Sequence, residues 1–173
     1  MTAKEPKEQL EKLFPYYVKN RSRATDNETE RLKACLSNLK SEYIYDAILN
    51  FTNSNGNTVL HCAVILEDEV VSGQILNSLK PTDRVRALEL GNDCGQTPIG
   101  LAVSKGSSSL IKSMLECADP KHWLQILQMQ DLDDKAAIHS AAISNSNETL
   151  NLILDSLVQR AIDSHLKKEG AAL

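Results

Sequence analysis

The chain has 173 residues, 42% apolar and only 4% aromatic, with a formal net charge of −4. This length suits one domain with a sizeable core, and the scarcity of aromatics favours Leu/Ile/Ala-rich helix stacking over a sheet. Residues 1–40 carry nine Lys/Arg against six Asp/Glu and the remainder ten against seventeen; such an acidic body speaks against nucleic acid, whose phosphates are captured by Lys and Arg.

In chain order, Lys7–Asn20 sets Leu10, Leu13, Phe14 and Tyr17 on one face and predicts a helix bent or split at Pro15. Thr25-x-x-Glu28 is a capping-box pattern ahead of Leu32, Cys35, Leu36 and Leu39, after a basic linker. Ser41 then opens Tyr43–Phe51, whose face is Ile44, Ala47, Ile48 and Phe51. The central stretch follows a fixed grammar. Asn92-Asp93-Cys94-Gly95 is a turn, Thr97-Pro98 starts a short helix with Ile99, Ala102 and Val103, and Gly106 stops it. Ser107 or Ser108 can cap a second helix bearing Leu110, Ile111, Met114 and Leu115.

The same grammar begins at Asn53 and again at Asp131, 39 residues to either side of Asn92. Leu60, Ile99 and Ile138 fall in register, as do Ala63, Ala102 and Ala141, and Ile75, Met114 and Ile153. Two equal periods without a gap define a repeat. Each of the first two full repeats ends in a further apolar segment with proline at its start, Lys80–Leu90 and Asp119–Met129, predicting a short third helix. In the last repeat Gln159 stands where that proline would be, so Asn147–Lys168 predicts one continuous helix of about 20 residues ending before Gly170. Its outer face, with Asp155, Gln159, Arg160, Asp163 and Lys167, reads as the polar side of a terminal cap at which the array stops.

Gly95-Gln96-Thr97-Pro98-Ile99, then Ala102 and Gly106, resembles the ankyrin repeat, whose signature is T-P-L-H-x-A. The resemblance covers residues 53–157, with departures: Gly100 at the motif histidine, Val59 and Ala137 at the proline, and Asp134 at the turn glycine. The first repeat carries Glu67-Asp68 in place of the inter-helix glycine and has Gly73 inside its second helix. The longer repeat with a third helix is similar to repeats of effectors that intracellular bacteria deliver into eukaryotic cells. The implied fold class is all-α, an ankyrin-repeat solenoid with an extra short helix per repeat and helical caps at both ends. It divides as an N-terminal cap (1–24), a degenerate repeat (25–52), repeats 53–91, 92–130 and 131–157, and a C-terminal cap (158–173).

Chemistry has few candidates. Cys35, Cys62, Cys94 and Cys117 form no C-x-x-C pair, so no metal site is expected, and Cys62 and Cys117 read as small buried hydrophobes of a reduced, cytoplasmic protein. Asp131–Asp134 lacks the central glycine and terminal glutamate of a calcium loop. No nucleophile–base or phosphate-loop constellation is present, so neither catalysis nor a cofactor is expected. No apolar run approaches the ~20 residues of a membrane span and no secretory signal is seen. His61 and His139 fall on the motif histidine, to which the resemblance assigns structural hydrogen bonds; His122 and His165 are expected to be exposed.

Ankyrin domains bind proteins through turn tips and the exposed positions of the first helix. Carried over, these are Ser54, Asn55, Asn57, Ile65 and Leu66, then Asp93, Cys94, Gln96, Ser104 and Lys105, then Leu132, Asp133, Lys135, Ile143 and Ser144. Ile65, Leu66, Leu132 and Ile143 are apolar where the family is polar, which marks an interaction surface. For Ile65 and Leu66, burial under a neighbouring element stays equally open. The expected function is non-catalytic binding of another protein, one with a basic segment, by a bacterial effector acting in a host cytosol. The expected state is a monomer, because the convex side shows no apolar patch. A different class stays open: a domain that positions substrate within a larger enzyme.

Overall fold

The computed structural model describes residue 34, residues 48–143 and helix 147–170, the last with side chains through 162 apart from 160. The expected N-terminal cap, and the degenerate repeat apart from residues 34 and 48–52, lie outside these residues. The described architecture is all-α. Its helices are α1 (Val59–Ile65), α2 (Glu69–Ser78), α3 (Pro81–Glu89), α4 (Pro98–Ser104), α5 (Ser108–Cys117), a 3₁₀ turn (Pro120–His122), α6 (Trp123–Gln128), α7 (Ala137–Ile143) and α8 (Asn147–Gly170). Among the described residues β pairing is confined to two isolated antiparallel bridges, Thr52–Thr58 and Gln130–Ala136.

The helices stand in three rows. α1, α4 and α7 lie side by side; α2, α5 and α8 form the row behind them; α3 packs beside α6. Small residues let the first row close up: Ala63, Ala102 and Ala141 are all buried. Behind them Leu60, Ile99, Ile75, Met114 and Ile153 fill one continuous core, into which Ile48 and Leu49 also fold. Ile138, in register with Leu60 and Ile99, is only half-buried.

Each unit opens with the same hydrogen-bond pattern. The Asn53 carboxamide oxygen accepts from the N–H groups of Asn55 (2.9 Å) and Asn57 (3.0 Å). That of Asn92 accepts from Cys94 and Gln96 (both 3.0 Å), and the Asp131 carboxylate from Asp133 and Lys135 (both 2.9 Å). The fourth residue of each turn is left-handed: Gly56 (φ 69°), Gly95 (φ 73°) and Asp134 (φ 59°). Successive turns are joined edge to edge, Asp93 N–H donating to the Asn55 carbonyl (3.1 Å) and Leu132 N–H to that of Cys94 (3.0 Å). A Cβ on Gly56 would overlap Asp93, and one on Gly95 would lie 3.0 Å from the Leu132 nitrogen. Among the described residues no later turn stacks on Asp134, so an aspartate suffices there, being one of the few residues that tolerate this conformation.

The third helices are held by a shared device. Arg84 Nε donates to the Leu79 carbonyl (3.0 Å), and 39 residues on Trp123 Nε1 donates to the carbonyls of Leu115 (2.9 Å) and Ala118 (3.2 Å). Both satisfy the exposed C-terminal carbonyls of the preceding helix. Pro81 and Pro120 occupy the first turns, as expected, but the second segment begins as a 3₁₀ turn before becoming α6.

Several expectations need correction. Ser107 stands at the N-cap of α5 without a side-chain hydrogen bond, whereas Asp68 at the equivalent site caps α2 through Val71 N–H (3.0 Å). Cys117 and His122 are half-buried, not core and exposed respectively. α8 is continuous, as expected, but runs through Gly170 over 24 residues. Its outward side is not simply polar, because Leu154, Val158 and Ile162 are exposed there. Periodicity identifies the face that meets the core but leaves open how far that core extends along a long helix.

Two variants test the architecture. Ala102→Asp places an unpaired charge between α1, α4 and α7 and should cost about 3 kcal/mol or more, visible as a collapsed thermal transition. Glu67, at φ 56°, occupies the place where the next unit has Gly106 at φ 70°. Its ion pair with Lys105 (3.1 Å) is exposed and contributes little. Glu67→Gly should therefore raise stability by up to about 1 kcal/mol in denaturant unfolding.

Candidate functional site

The stacked turns and the row α1, α4, α7 form one face with two adjoining grooves. The first, about 350 Å³, is lined from the expected residues by Ser54, Asn55, Asn57, Ile65, Asp93, Cys94 and Gln96. The second, about 250 Å³, is lined by Gln96, Ser104, Asp133, Lys135 and Ile143. Gln96 belongs to both and links them. Leu132 lies outside both at a turn tip, 77% exposed, and Ile143 is 70% exposed at the end of α7.

Not every expected residue is available. Asn57 is buried and its side-chain oxygen accepts from Asn92 Nδ2 (2.9 Å), so it ties one turn to the next rather than awaiting a ligand. Leu66 packs half-buried against the core. Ile65 is half-buried yet still lines the first groove, so of this pair it remains on the open side. Lys105 is engaged by Glu67. Ser144 lies outside the described residues.

Four further residues line the grooves: Asn92, Leu101, Asp131 and Ser140. Leu101 and Ser140 are equivalent positions one turn earlier on α4 and α7 than the helix-end positions carried over from the family. Helical spacing of three from Ser104 and Ile143 was the signal that could have found them.

The charge on this face is local. Lys135 Nζ lies 3.0 Å from Asp133 Oδ2, and that bond, with the Asp133 and Asp131 charges, raises the Lys135 pKa. Asp93, Asp131 and Asp134 occupy the same row of turns, which leaves the rim net acidic. Among the described residues no helix is long and apolar enough to cross a membrane. Set against models of known families the chain matches none, and no curated protein matches it.

Beneath the face, His61 joins two units. Thr58 N–H donates to its Nδ1 (3.2 Å), so Nε2 carries the proton and donates to the Gln96 carbonyl (2.9 Å). The Thr58 hydroxyl lies 2.7 Å from Nδ1. Burial lowers the His61 pKa, against the smaller opposing pull of the Gln96 and Leu90 carbonyls. His139 is exposed and accepts from Ala136 N–H (3.1 Å).

The unfolded chain therefore takes up the proton before the folded one does. His61's contribution to stability is complete above its unfolded value of 6.5 and declines as pH falls below it. His61→Ala should cost about 2–4 kcal/mol, from two orphaned polar groups and a small cavity, and should weaken the loss of stability below pH 6.5. His139→Ala should cost less than about 1 kcal/mol. Denaturant titrations at several pH values check both.

Proposed function

We propose that the chain is an ankyrin-repeat solenoid that binds another protein, without catalysis, through the face formed by its turns and α1, α4 and α7. The observation that carries this reading is the pair of adjoining grooves. They collect residues chosen by the repeat resemblance from three separate units, with the exposed Leu132 and Ile143 beside an acidic rim. The partner is a protein segment with basic residues for the rim and an apolar side chain for Leu132. The 39-residue period and its third helix favour an effector of an intracellular bacterium acting on a host protein in the cytosol. Free thiols at Cys62, Cys94 and Cys117, with burial pushing the Cys62 thiol up to about 12, agree with a reducing compartment.

Selection from a peptide display library on the immobilised chain tests this reading. Enriched segments should pair basic residues with an apolar anchor. Leu132→Glu should raise their off-rate about tenfold, since it removes a desolvated anchor. Reversal of Asp93 and Asp133 to Lys should instead slow association and flatten its salt dependence. Segments that bind all these variants like the parent would move the interface off this face.

A further inference from the structure

The joint between the second and third units holds a polar cavity beside the second groove. One unit earlier a histidine fills this place: Thr58 N–H donates to His61 Nδ1 (3.2 Å), and Nε2 donates across the joint to the Gln96 carbonyl (2.9 Å). That carbonyl also accepts from Asn92 N–H (3.0 Å), so both of its lone pairs are used. In the third unit Ala136 N–H likewise donates to His139 Nδ1 (3.1 Å). The middle unit has Gly100 instead. Thr97 is buried, yet among the described residues its N–H, the counterpart of Thr58 N–H, meets no acceptor. Across the joint the Lys135 carbonyl, counterpart of that of Gln96, accepts from Asp131 N–H (3.0 Å) and, among the described residues, from no second donor. A Cβ on Gly100 would touch only Thr97 Oγ1, at 3.2 Å. The cavity there is lined by Thr97, Gly100, Met129 and Lys135, and it shares Ser104 and Ser140 with the second groove. It measures about 240 Å³ with its mouth, and its enclosed part admits about one water.

We propose that this cavity takes the neutral imidazole of a histidine carried by the bound segment, one edge inserted where the chain's own ring sits a unit earlier. The source of the ring rests on the groove-binding reading; the cavity itself does not. Two unmatched groups set the chemistry of the occupant, because Thr97 N–H lacks an acceptor and the Lys135 carbonyl has a lone pair free. A neutral imidazole presents an acceptor and a donor on opposite sides of a flat ring, as His61 does between Thr58 and Gln96. A lysine or arginine side chain has donors alone and leaves Thr97 unpaired; an aliphatic one leaves both groups unpaired. The histidine therefore adds a neutral, directional contact to the charged ones at the acidic rim.

Free imidazole is the probe of the cavity. Titrated to about 100 mM at about pH 8, where it is neutral, it should bind with a Kd of about 1–10 mM and move the Thr97 amide proton downfield. At about pH 5 the imidazolium has two donors and no acceptor, so that shift should vanish. Gly100→His should abolish the shift and melt above Gly100→Ala, which shares the gain in helix propensity. In segments selected on the chain, changing the histidine to alanine should weaken binding about tenfold, and should have no effect on binding to Gly100→His. A Thr97 amide that ignores imidazole overturns the proposal, whatever segments bind the face. So does a Gly100→His chain that melts below Gly100→Ala, since the cavity is then too closed for a ring. Segments that bind the grooves without a histidine overturn it too, and leave the groove-binding reading intact. Imidazole bound at Thr97 with no segment selected overturns that reading instead, and with it the segment as source of the ring.

Discussion

The side-chain oxygen of the first turn residue is the interaction on which the stack depends. In Asn53, Asn92 and Asp131 it closes a turn by accepting two backbone N–H groups, which frees the turn's own carbonyl to receive the next unit. The bonds from Asp93 to Asn55 and from Leu132 to Cys94 then fix the separation of successive units. A spacing set this tightly leaves no room for a Cβ at the stacked turn positions, hence Gly56 and Gly95. It also brings α1, α4 and α7 close enough that alanine is needed at their shared contact. The groove face is the outcome: its floor is the helix row and its rim the turns.

The second constraint lies at the rear of each unit. A chain that leaves a helix and starts another at a sharp angle exposes carbonyls, and this protein satisfies them with a side-chain donor at one recurring position. Arg84 and Trp123 differ in size, charge and shape, but each presents an N–H to the same carbonyls. The next position in that series is Ile162, which has no donor, and the proline that begins the third helix has become Gln159. With neither a break nor a donor, the backbone satisfies its own carbonyls by staying helical, and α8 runs on past the body. The overhang and its exposed stripe therefore follow from two substitutions in the repeat.

The helix pairs and their register were legible in the sequence because alanine, leucine and isoleucine recur at a constant 39-residue interval that only stacking explains. The grooves were partly legible for the same reason: once the units align, equivalent positions line one face. What stayed hidden depended on neighbours at the other ends of contacts. Asn57 looked like a turn-tip residue, and only the position of Asn92 shows it to be a tie between turns. The outer face of α8 reads as polar from Asp155 and Gln159, yet Leu154, Val158 and Ile162 are exposed as well, because an apolar residue on a helix announces a partner without saying whether the chain supplies it. His61 and His139 share one motif position, but Thr58 and Gln96 bury the first, while the second sits at the exposed side of α7.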